Sequence, residues 1–360
     1  MNILYVARLT DSKLKEKLVP LTLAPQVNHL YVLRDNPGIA FDDKVTYLCP
    51  EKPIRGAVRH ILKFFKGIYY CRKYNISTVV GVLNTPHGYI GKAISLFAHV
   101  PYIHVTIAGH REFWTDGKLG AIFNYWLFKQ AAFVTVTGTQ TRKYLLNKGF
   151  ESKRVVLLPN IPDKLFLNMQ NIPLPKDRQY DIVFMSRIDK NKNLRLLLNA
   201  LSKLKTEYEI RVLIVGDGEE LQNMKLLADA LKINNMVVFS GYVSGIKAKV
   251  DIYKSASIFV STSKGEGFPV SLLEAMCCGC VPVVSNVGDI VDAVEQGVSG
   301  YVFDDTNDET ELANYLKNLL CDDTLMDSMS QEAQKIKTNI SVEKNAKIWG
   351  RILSEIKNRK

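Results

Sequence analysis

The sequence STSKGEGFPVSLLEAMCCGCVPVVS, residues 261–285, decides the fold of this chain. A β-type apolar run precedes it, and the Ser/Thr/Lys/Gly cluster at its start indicates a loop. Pro269 suits the first turn of a helix, because its missing N–H would have no partner there. Val270 and Leu273 have helical spacing, and Gly279 can end the helix before a valine-rich strand. This order of strand, loop, helix and strand is typical of a parallel α/β sheet.

Two carboxylates in this stretch, Glu266 and Glu274, indicate ligand binding. A helix N-terminus offers free N–H groups and a partial positive charge, which attract a phosphate. Gly265 and Gly267 allow a ligand to approach the backbone closely. Each carboxylate can accept hydrogen bonds from neighbouring hydroxyls on a sugar ring or a ribose. The spacing alone favours a solvated loop glutamate and an ordinary helix-face glutamate. The surrounding residues, Glu266-Gly-Phe-Pro269 and the segment from Glu274 to Gly279, favour instead a sugar joined to a nucleotide through phosphates.

The length and composition of the chain limit which classes of protein it can belong to. A chain of 360 residues is long enough for two domains, and 47% hydrophobic with 23% charged residues is ordinary globular usage. A net charge of +11 indicates acidic partners such as nucleotide diphosphates, anionic lipid surfaces or nucleic acid. The six cysteines lack disulfide spacing, and no signal peptide or membrane-spanning apolar run is visible. We therefore expect a cytoplasmic protein with reduced cysteines.

The first half alternates β-type runs with helical patterns, which predicts a parallel sheet with crossover helices. The predicted strands are residues 3–7, 30–33, 45–48, 78–83, 102–107, 133–137 and 155–158. In the second half we predict strands near residues 181–186, 210–216, 237–243, 258–260 and 281–284, and a last helix in 341–360.

The helix predicted in residues 54–73 is basic and amphipathic. Its apolar residues fall on one face, namely Ile54, Val58, Ile61, Leu62, Phe65, Ile68 and Tyr69. Its basic residues fall largely elsewhere, namely Arg55, Arg59, Lys63, Lys66, Arg72 and Lys73. Such a helix suits an anionic membrane surface, which makes peripheral membrane association one hypothesis. A crossover helix that packs its apolar face on the sheet and solvates its basic face is the equally weighted alternative.

Polar residues follow several predicted strands, where ligand crevices of α/β sheets lie. His110 follows the strand of residues 102–107 and suits a polar contact or a proton carrier, with Arg111 as a weaker candidate. Arg187 and Lys192 precede a helix, where two cations are poor capping residues unless a diphosphate lies between them. Gly216 begins a glycine turn after another strand, which is a weak nucleotide signal.

With these motifs in place, the chain resembles the retaining glycosyltransferases of family 4, which carry an E-x7-E motif and have the GT-B fold. The resemblance is dense from residue 182 to 303 and looser from 78 to 166. It implies two Rossmann-like α/β domains facing a central cleft, with a C-terminal helix that crosses back to the first domain. The predicted boundaries are an acceptor-side domain in 1–165, a linker in 166–180, a nucleotide-sugar domain in 181–339 and a terminal helix in 340–360.

The resemblance also implies roles for residues at matching positions. Glu266 would contact donor-sugar hydroxyls, Glu274 would hold the ribose, and His110 would lie near the reacting sugar. The catalytic candidates are His110, Glu266, Arg187 and Lys192. The donor-binding candidates are Arg187, Lys192, Gly216, Val243, Glu266, Gly267, Phe268, Pro269, Val270 and Glu274. The loop of residues 7–11 departs from the family because it lacks the Gly-Gly pair after the first strand, and Arg8 there could substitute as a cation.

The leading hypothesis is transfer of a sugar from a UDP- or GDP-sugar to a saccharide or lipid-linked acceptor, with retention of anomeric configuration. The resemblance suggests surface polysaccharide synthesis, such as capsule or lipopolysaccharide assembly, and no metal or other cofactor is expected. A sugar-nucleotide epimerase or a phosphorylase of the same fold is an alternative enzyme. A non-enzymatic basic protein that binds a membrane or nucleic acid is the other alternative, although no nucleic-acid module with interleaved aromatics is present, so nucleic acid is not expected as a partner.

Overall fold

The computed structural model describes residues 1–50, 56–113 and 117–358. These residues form two compact units. The first comprises residues 1–160 together with the described residues from 341 onwards, and the second comprises residues 161–340. Each unit is built on its own parallel sheet.

The strands are short and mostly buried. In the first unit they are β1 Asn2–Val6, β2 His29–Leu33, β3 Val45–Leu48, β4 Ile76–Val82, β5 Tyr102–Val105, β6 Phe133–Val136 and β7 Val155–Leu157. In the second unit they are β8 Tyr180–Met185, β9 Val212–Val215, β10 Val237–Gly241, β11 Ala256–Ser261, β12 Val281–Ser285 and β13 Tyr301–Phe303. The strand predictions are confirmed to within about two residues at most ends, because continuous valine- and isoleucine-rich runs are typical of strands buried on both faces.

The α-helices cover both faces of these sheets. In chain order they are α1 Asp11–Thr22, α2 Val58–Lys73, α3 His87–Phe97, α4 Gly117–Lys129, α5 Thr139–Asn147, α6 Lys164–Leu167, α7 Leu194–Leu204, α8 Leu221–Ala230, α9 Ile246–Lys254, α10 Val270–Cys277, α11 Glu309–Leu320, α12 Asp323–Gln334, α13 Ile336–Asn339 and α14 Val342–Asn358. Short 3₁₀ helices occupy Gly109–Phe113, Pro175–Asp177 and Ile290–Asp292.

The two sheets share one topology. The strand order is β3-β2-β1-β4-β5-β6-β7 in the first unit and β10-β9-β8-β11-β12-β13 in the second. All strand pairs in both sheets are parallel, and the order reverses beside β1 and beside β8. This is the doubly wound Rossmann arrangement. The predicted class of two Rossmann-like α/β domains is confirmed.

The terminal helix α14 is part of the first unit. Trp349, Ile352 and Leu353 on its apolar face are buried in the core that also contains Leu14 and Leu18 of α1. Asn345 at its start donates a hydrogen bond to the Pro159 carbonyl at 2.8 Å. Burial of this one apolar face is what holds the last helix to the first sheet.

Helix α2 does not pack its predicted apolar face on the sheet, as the alternative of an ordinary crossover helix required. The positions it buries are Lys63, Gly67 and Cys71. The predicted apolar stripe faces outward instead, with exposed fractions of 57% at Val58, 56% at Ile61, 61% at Phe65 and 56% at Tyr69. Packing of that face on the sheet is therefore excluded.

Ile54 and Arg55, which we also assigned to this helix, lie outside the described residues. Within the described ranges, no helix combines the length and the apolar character needed to cross a bilayer.

The segment 166–180, which we predicted to be a linker, packs on the second unit. Phe166 is fully buried, and Arg178 is almost so. The Arg178 guanidinium donates hydrogen bonds to the carbonyls of Pro173 at 3.0 Å, Ala256 at 2.5 Å and Gly279 at 3.2 Å. One buried cation therefore joins this segment to the start of β11 and to the end of α10.

We expect Arg178→Leu to lower the free energy of unfolding of the second unit by about 3 kcal/mol, because three buried carbonyls would lose charged hydrogen bonds. Urea unfolding followed by circular dichroism should show the lower midpoint. The exposed Arg195→Leu on α7 is the matched control and should change little. Equal midpoints for the two variants would contradict a structural role for Arg178.

Candidate functional site

The loops that follow β8 and β11 lie side by side in the second unit. These two strands are neighbours in the sheet and run parallel, so their carboxyl ends are at the same edge. The strand order also reverses between them. Ligands of open α/β sheets bind at such a reversal point. Arg187 and Lys192 lie in the first of these loops, and Glu266 lies in the second.

Direct contacts join the two loops. The Lys192 ammonium donates a hydrogen bond to Oε1 of Glu266. The Asn191 amide donates to the Gly265 carbonyl at 3.0 Å, and the Lys264 N–H donates to the Asn191 carbonyl at 2.7 Å. Lys192 and Glu266 are both only partly buried, so both charged groups remain accessible to a ligand.

Asp189 organises the cationic loop, and sequence reasoning missed it. Its Oδ1 accepts hydrogen bonds from the N–H groups of Asn191 at 2.9 Å and Lys192 at 3.0 Å. Its Oδ2 accepts from Arg187 Nε at 2.6 Å. Burial would raise the pKa of Asp189, but these hydrogen bonds and the Arg187 charge lower it. An ionised Asp189 therefore fixes the loop, and the Arg187 side chain remains 75% exposed.

Gly216 is required by close packing against the same loop. Its φ is +149°, and a Cβ atom there would lie 1.8 Å from the Ser186 carbonyl oxygen. The Gly216 N–H donates to the Gly241 carbonyl at 2.9 Å. The glycine turn therefore lies beside the Arg187 loop, and Val243 follows two residues after Gly241 and packs on the core.

The predicted donor-binding segment from Gly267 to Val270 forms the entry to α10. Phe268 is buried in the core, and Pro269 is the N-cap residue rather than a first-turn residue, so that α10 begins at Val270. The loop after β12 packs directly on this segment. A Cβ atom at Gly288 would lie 2.2 Å from the Gly267 carbonyl oxygen, so this close approach requires a glycine at position 288.

Glu274 lies inside α10 and has a different partner from Glu266. The Lys249 ammonium on α9 lies 3.0 Å from Oε1 and 3.1 Å from Oε2 of Glu274. Glu274 is 3% exposed, and burial raises the pKa of its carboxyl although the Lys249 charge opposes that shift. Sequence reasoning missed Lys249, because nothing in the chain separates it from the other lysines of a basic helix.

His110 lies in the other unit. It is part of the 3₁₀ helix Gly109–Phe113, and its ring centroid is 5.3 Å from that of Tyr144. The Glu112 carboxylate accepts a hydrogen bond from the Ala108 N–H at 2.6 Å, which fixes the loop before His110. Contacts thus join Arg187, Lys192 and Glu266 in the second unit. Glu274 lies in the same unit and has its own ion pair, with Lys249. His110 lies in the first unit.

The cationic loop, the helix entry and the two carboxylates are chemically suited to a phosphate-linked sugar. Cations and helix N–H groups bind phosphate oxygens, and carboxylates accept hydrogen bonds from hydroxyls. Among the described residues, no group of three or more His, Cys, Asp or Glu side chains could hold a metal ion.

The chain is similar in part to curated proteins of known activity. The chain is 29% identical over 154 residues to N-acetyl-alpha-D-glucosaminyl L-malate synthase of Bacillus anthracis, which is 43% of this chain and 39% of the relative. It is 28% identical over 258 residues to poly(glycerol-phosphate) alpha-glucosyltransferase of Bacillus subtilis, which is 71% of this chain and 37% of the relative. The chain thus spans less than half the length of each of these curated relatives.

The fold has close structural neighbours. The crystal structure of Anabaena HepE in complex with UDP superposes with a TM-score of 0.79 at 17% identity and covers 99% of this chain and 100% of HepE. The family model described as Glycosyl transferases group 1 matches residues 167–336, which include the cationic loop, the glycine turn, α9 and α10. This match covers most of the second unit, which comprises residues 161–340.

Proposed function

We propose that this protein is a glycosyltransferase that moves a sugar from a UDP- or GDP-sugar to a saccharide or lipid-linked acceptor, with retention of anomeric configuration. The observation that carries the proposal is the contact between Lys192 and Glu266 beside the entry to α10. It joins a phosphate-binding cation to a hydroxyl-binding carboxylate at the reversal point of the sheet. The names of the relatives, which include a glucosyltransferase, and the UDP bound to HepE support it.

The diphosphate of the donor would bind between Arg187, Lys192 and the backbone N–H groups that begin α10. As the glycosidic bond breaks, negative charge grows on the leaving diphosphate. Fixed cations and N–H groups stabilise that charge more strongly than they stabilise the bound donor, and so they lower the barrier. In this proposal the chain's own cations do this work, and we expect transfer to persist in the presence of EDTA.

The two carboxylates would orient the two ends of the donor. Glu266 would accept hydrogen bonds from the sugar hydroxyls while its second function, holding Lys192, keeps the ammonium in place. Glu274 would accept from the ribose hydroxyls, and Lys249 would keep that buried carboxylate ionised. His110 would contact the reacting sugar, as the resemblance implies.

Product analysis separates this proposal from other enzymes of the same fold. A retaining transferase yields a product with the anomeric configuration of the donor, which nuclear magnetic resonance of the product reports. An epimerase would change the donor sugar without an acceptor, and a phosphorylase would require phosphate. Either of those results would contradict the assignment as a transferase. A product with inverted anomeric configuration would contradict only the claim of retention. Surface polysaccharide synthesis is the pathway that we propose by analogy.

Association with a membrane surface is part of the proposal. Helix α2 exposes an apolar stripe, and α4 exposes a second one at Leu119, Ile122, Phe123 and Trp126. The opposite faces of both helices pack on the same core cluster, so both stripes belong to one side of the first unit. Exposed apolar patches of this kind mark interaction surfaces. The basic residues of α2 and the net charge of +11 favour an anionic lipid surface as the occupant.

We expect Lys192→Ala to lower kcat/KM for sugar transfer by about 100- to 1,000-fold, because it removes a cation that stabilises the leaving group. Radiolabelled UDP- and GDP-sugars, offered with and without membrane extracts, provide the assay. Lys190 is an exposed cation two residues away in the same loop, so Lys190→Ala is the control and should retain wild-type activity. Equal activity of the two variants would rule out the assignment of Lys192.

Donor affinity should depend on the charge of Glu274. Because the pKa of this carboxyl is raised, the ionised form is present above that pKa and is lost as the pH falls through it. Affinity for the nucleotide sugar should therefore fall at a higher pH than an ordinary carboxyl would cause. Glu274→Gln should weaken binding about tenfold at neutral pH and remove this pH dependence.

Calorimetry with UDP-glucose and GDP-mannose checks that prediction, since sugar-linked diphosphates do not titrate in this range. Glu207 also pairs with a lysine, Lys317 at 2.7 Å, but it is exposed. Glu207→Gln should bind the donor like the wild type. A pH profile that is unchanged in Glu274→Gln would show that another group controls binding.

Binding to anionic vesicles should depend on the apolar stripe of α2. We expect Phe65→Asp to weaken sedimentation with phosphatidylglycerol vesicles about tenfold or more, since burial of a phenylalanine contributes ~1.5–3 kcal/mol. Leu226→Asp, at an exposed leucine on α8, is the matched control. Identical sedimentation of the two variants, or a stable dimer by light scattering that Phe65→Asp dissolves, would contradict a membrane as the occupant.

A further inference from the structure

A second charged cluster lies at the carboxyl edge of the sheet in the first unit. Arg8 follows β1, and His87 is the first residue of α3 after β4. Arg59, His60 and Lys63 come from the first two turns of α2. The strand order reverses between β1 and β4, so this cluster lies at the position where open parallel sheets bind ligands.

Contacts between cations and imidazoles hold the cluster together. Lys63 is 5% exposed, and its Nζ lies 2.8 Å from Asp35 Oδ1 and 3.3 Å from His87 Nε2. Arg59 Nε donates to His60 Nε2 at 3.2 Å. The two imidazole rings meet edge to face with centroids 6.2 Å apart.

These contacts determine where the histidine protons are. Each imidazole accepts a hydrogen bond at Nε2, so each neutral ring carries its proton on Nδ1. Nδ1 of His60 is buried, and no hydrogen-bond partner for it lies among the described residues. An oxygen acceptor is the group that would satisfy this N–H.

The cluster has an excess of positive charge. Within the described ranges, it contains the three cations Arg8, Arg59 and Lys63 against the carboxylate of Asp35, which leaves a net charge of about +2. Burial, together with the charge of Lys63, lowers the pKa of His87 to about 4. Burial and the neighbouring Arg59 lower the pKa of His60. The charge of Arg8 contributes to the lowered pKa of His60, Lys63 and His87.

We propose that this cluster binds a phosphate group of the acceptor. A phosphate monoester carries a charge of about −1.5 to −2, which balances the excess. The Arg59 guanidinium can bind two of its oxygens, His60 Nδ1 can donate to a third, and the start of α3 favours an anion. That this phosphate belongs to the acceptor rests on the proposed function. Phosphate binding by the cluster is inferred from these contacts alone.

A titration of the full chain with inorganic phosphate and with glycerol 3-phosphate, without any nucleotide sugar, tests the binding. The histidine resonances of His60 and His87 should shift in nuclear magnetic resonance spectra, because a bound dianion favours their protonated forms. The resonances of the exposed His99 should not move. A titration that leaves His60 and His87 unshifted would overturn the proposal.

Variants assign the binding to this cluster. Arg59→Gln should weaken phosphate binding about tenfold, and Arg8→Ala, at an exposed position, should also weaken it. Lys66→Ala, an exposed cation on the same helix, should bind like the wild type. Wild-type phosphate affinity in both Arg59→Gln and Arg8→Ala would overturn the proposal.

Donor binding distinguishes this proposal from the proposed function. UDP-glucose affinity should be unchanged in Arg59→Gln, because the donor candidates lie in the second unit. A matching loss of UDP-glucose affinity would assign the cluster to the donor diphosphate and overturn the acceptor assignment. Phosphate binding by a chain that transfers no sugar would instead refute only the proposed function.

The source of the phosphate is decided by competition. If glycerol 3-phosphate releases the protein from phosphatidic-acid vesicles but not from phosphatidylcholine vesicles, the result supports a lipid headgroup as the source of the phosphate. Binding of glycerol 3-phosphate to the cluster without such release supports a soluble phosphorylated acceptor.

Discussion

The close contact between the loops after β8 and β11 is the constraint on which the candidate donor site depends. Each loop alone carries groups with the wrong electrostatics for its position, since Arg187 and Lys192 precede a helix N-terminus and Glu266 is partly buried. Together they neutralise one another through the Lys192–Glu266 pair, and Asp189 bonds to the backbone of the cationic loop. The arrangement keeps cations beside a helix entry without a large energetic penalty, because Arg187 pairs with Asp189 and Lys192 pairs with Glu266 while both cations remain accessible to a ligand.

Two glycines of the second unit, Gly216 and Gly288, allow the neighbouring loops to pack closely at this edge of the sheet. Gly216 lets the end of β9 pack on the Arg187 loop, and Gly288 lets the loop after β12 pack on the entry to α10. A side chain at either position would collide with backbone carbonyls, which cannot move aside as a flexible side chain can. The loops after β8, β9, β11 and β12 therefore converge on one edge of the sheet because glycines permit it.

The two sides of helix α2 in the first unit carry different kinds of residues. Its buried side presents Lys63 to Asp35 and His87 and also contributes Cys71 to the apolar core, and its outward side carries the exposed apolar stripe. An ordinary amphipathic helix of a globular protein keeps its apolar stripe on the core. The exposed stripe is consistent with a helix that meets a membrane on one side and a phosphate on the other. The two proposals for the first unit therefore concern opposite faces of the same element.

The sequence alone predicted every strand of the described residues except β13, as well as the two Rossmann-like sheets, and it singled out Glu266 and Glu274 as candidate site residues. Buried strands are continuous β-branched runs, and a helix start or a glycine stop is a local signal that the chain carries in a few residues. Only the tertiary structure decided the partners, such as Lys249 for Glu274, Asp189 for the cationic loop and Gly288 for Gly267. It also decided which side of α2 is buried, because helical spacing reveals two faces but not which of them meets the sheet. Contacts between residues far apart in the chain depend on the packing of whole elements, and no local pattern of residues records that packing.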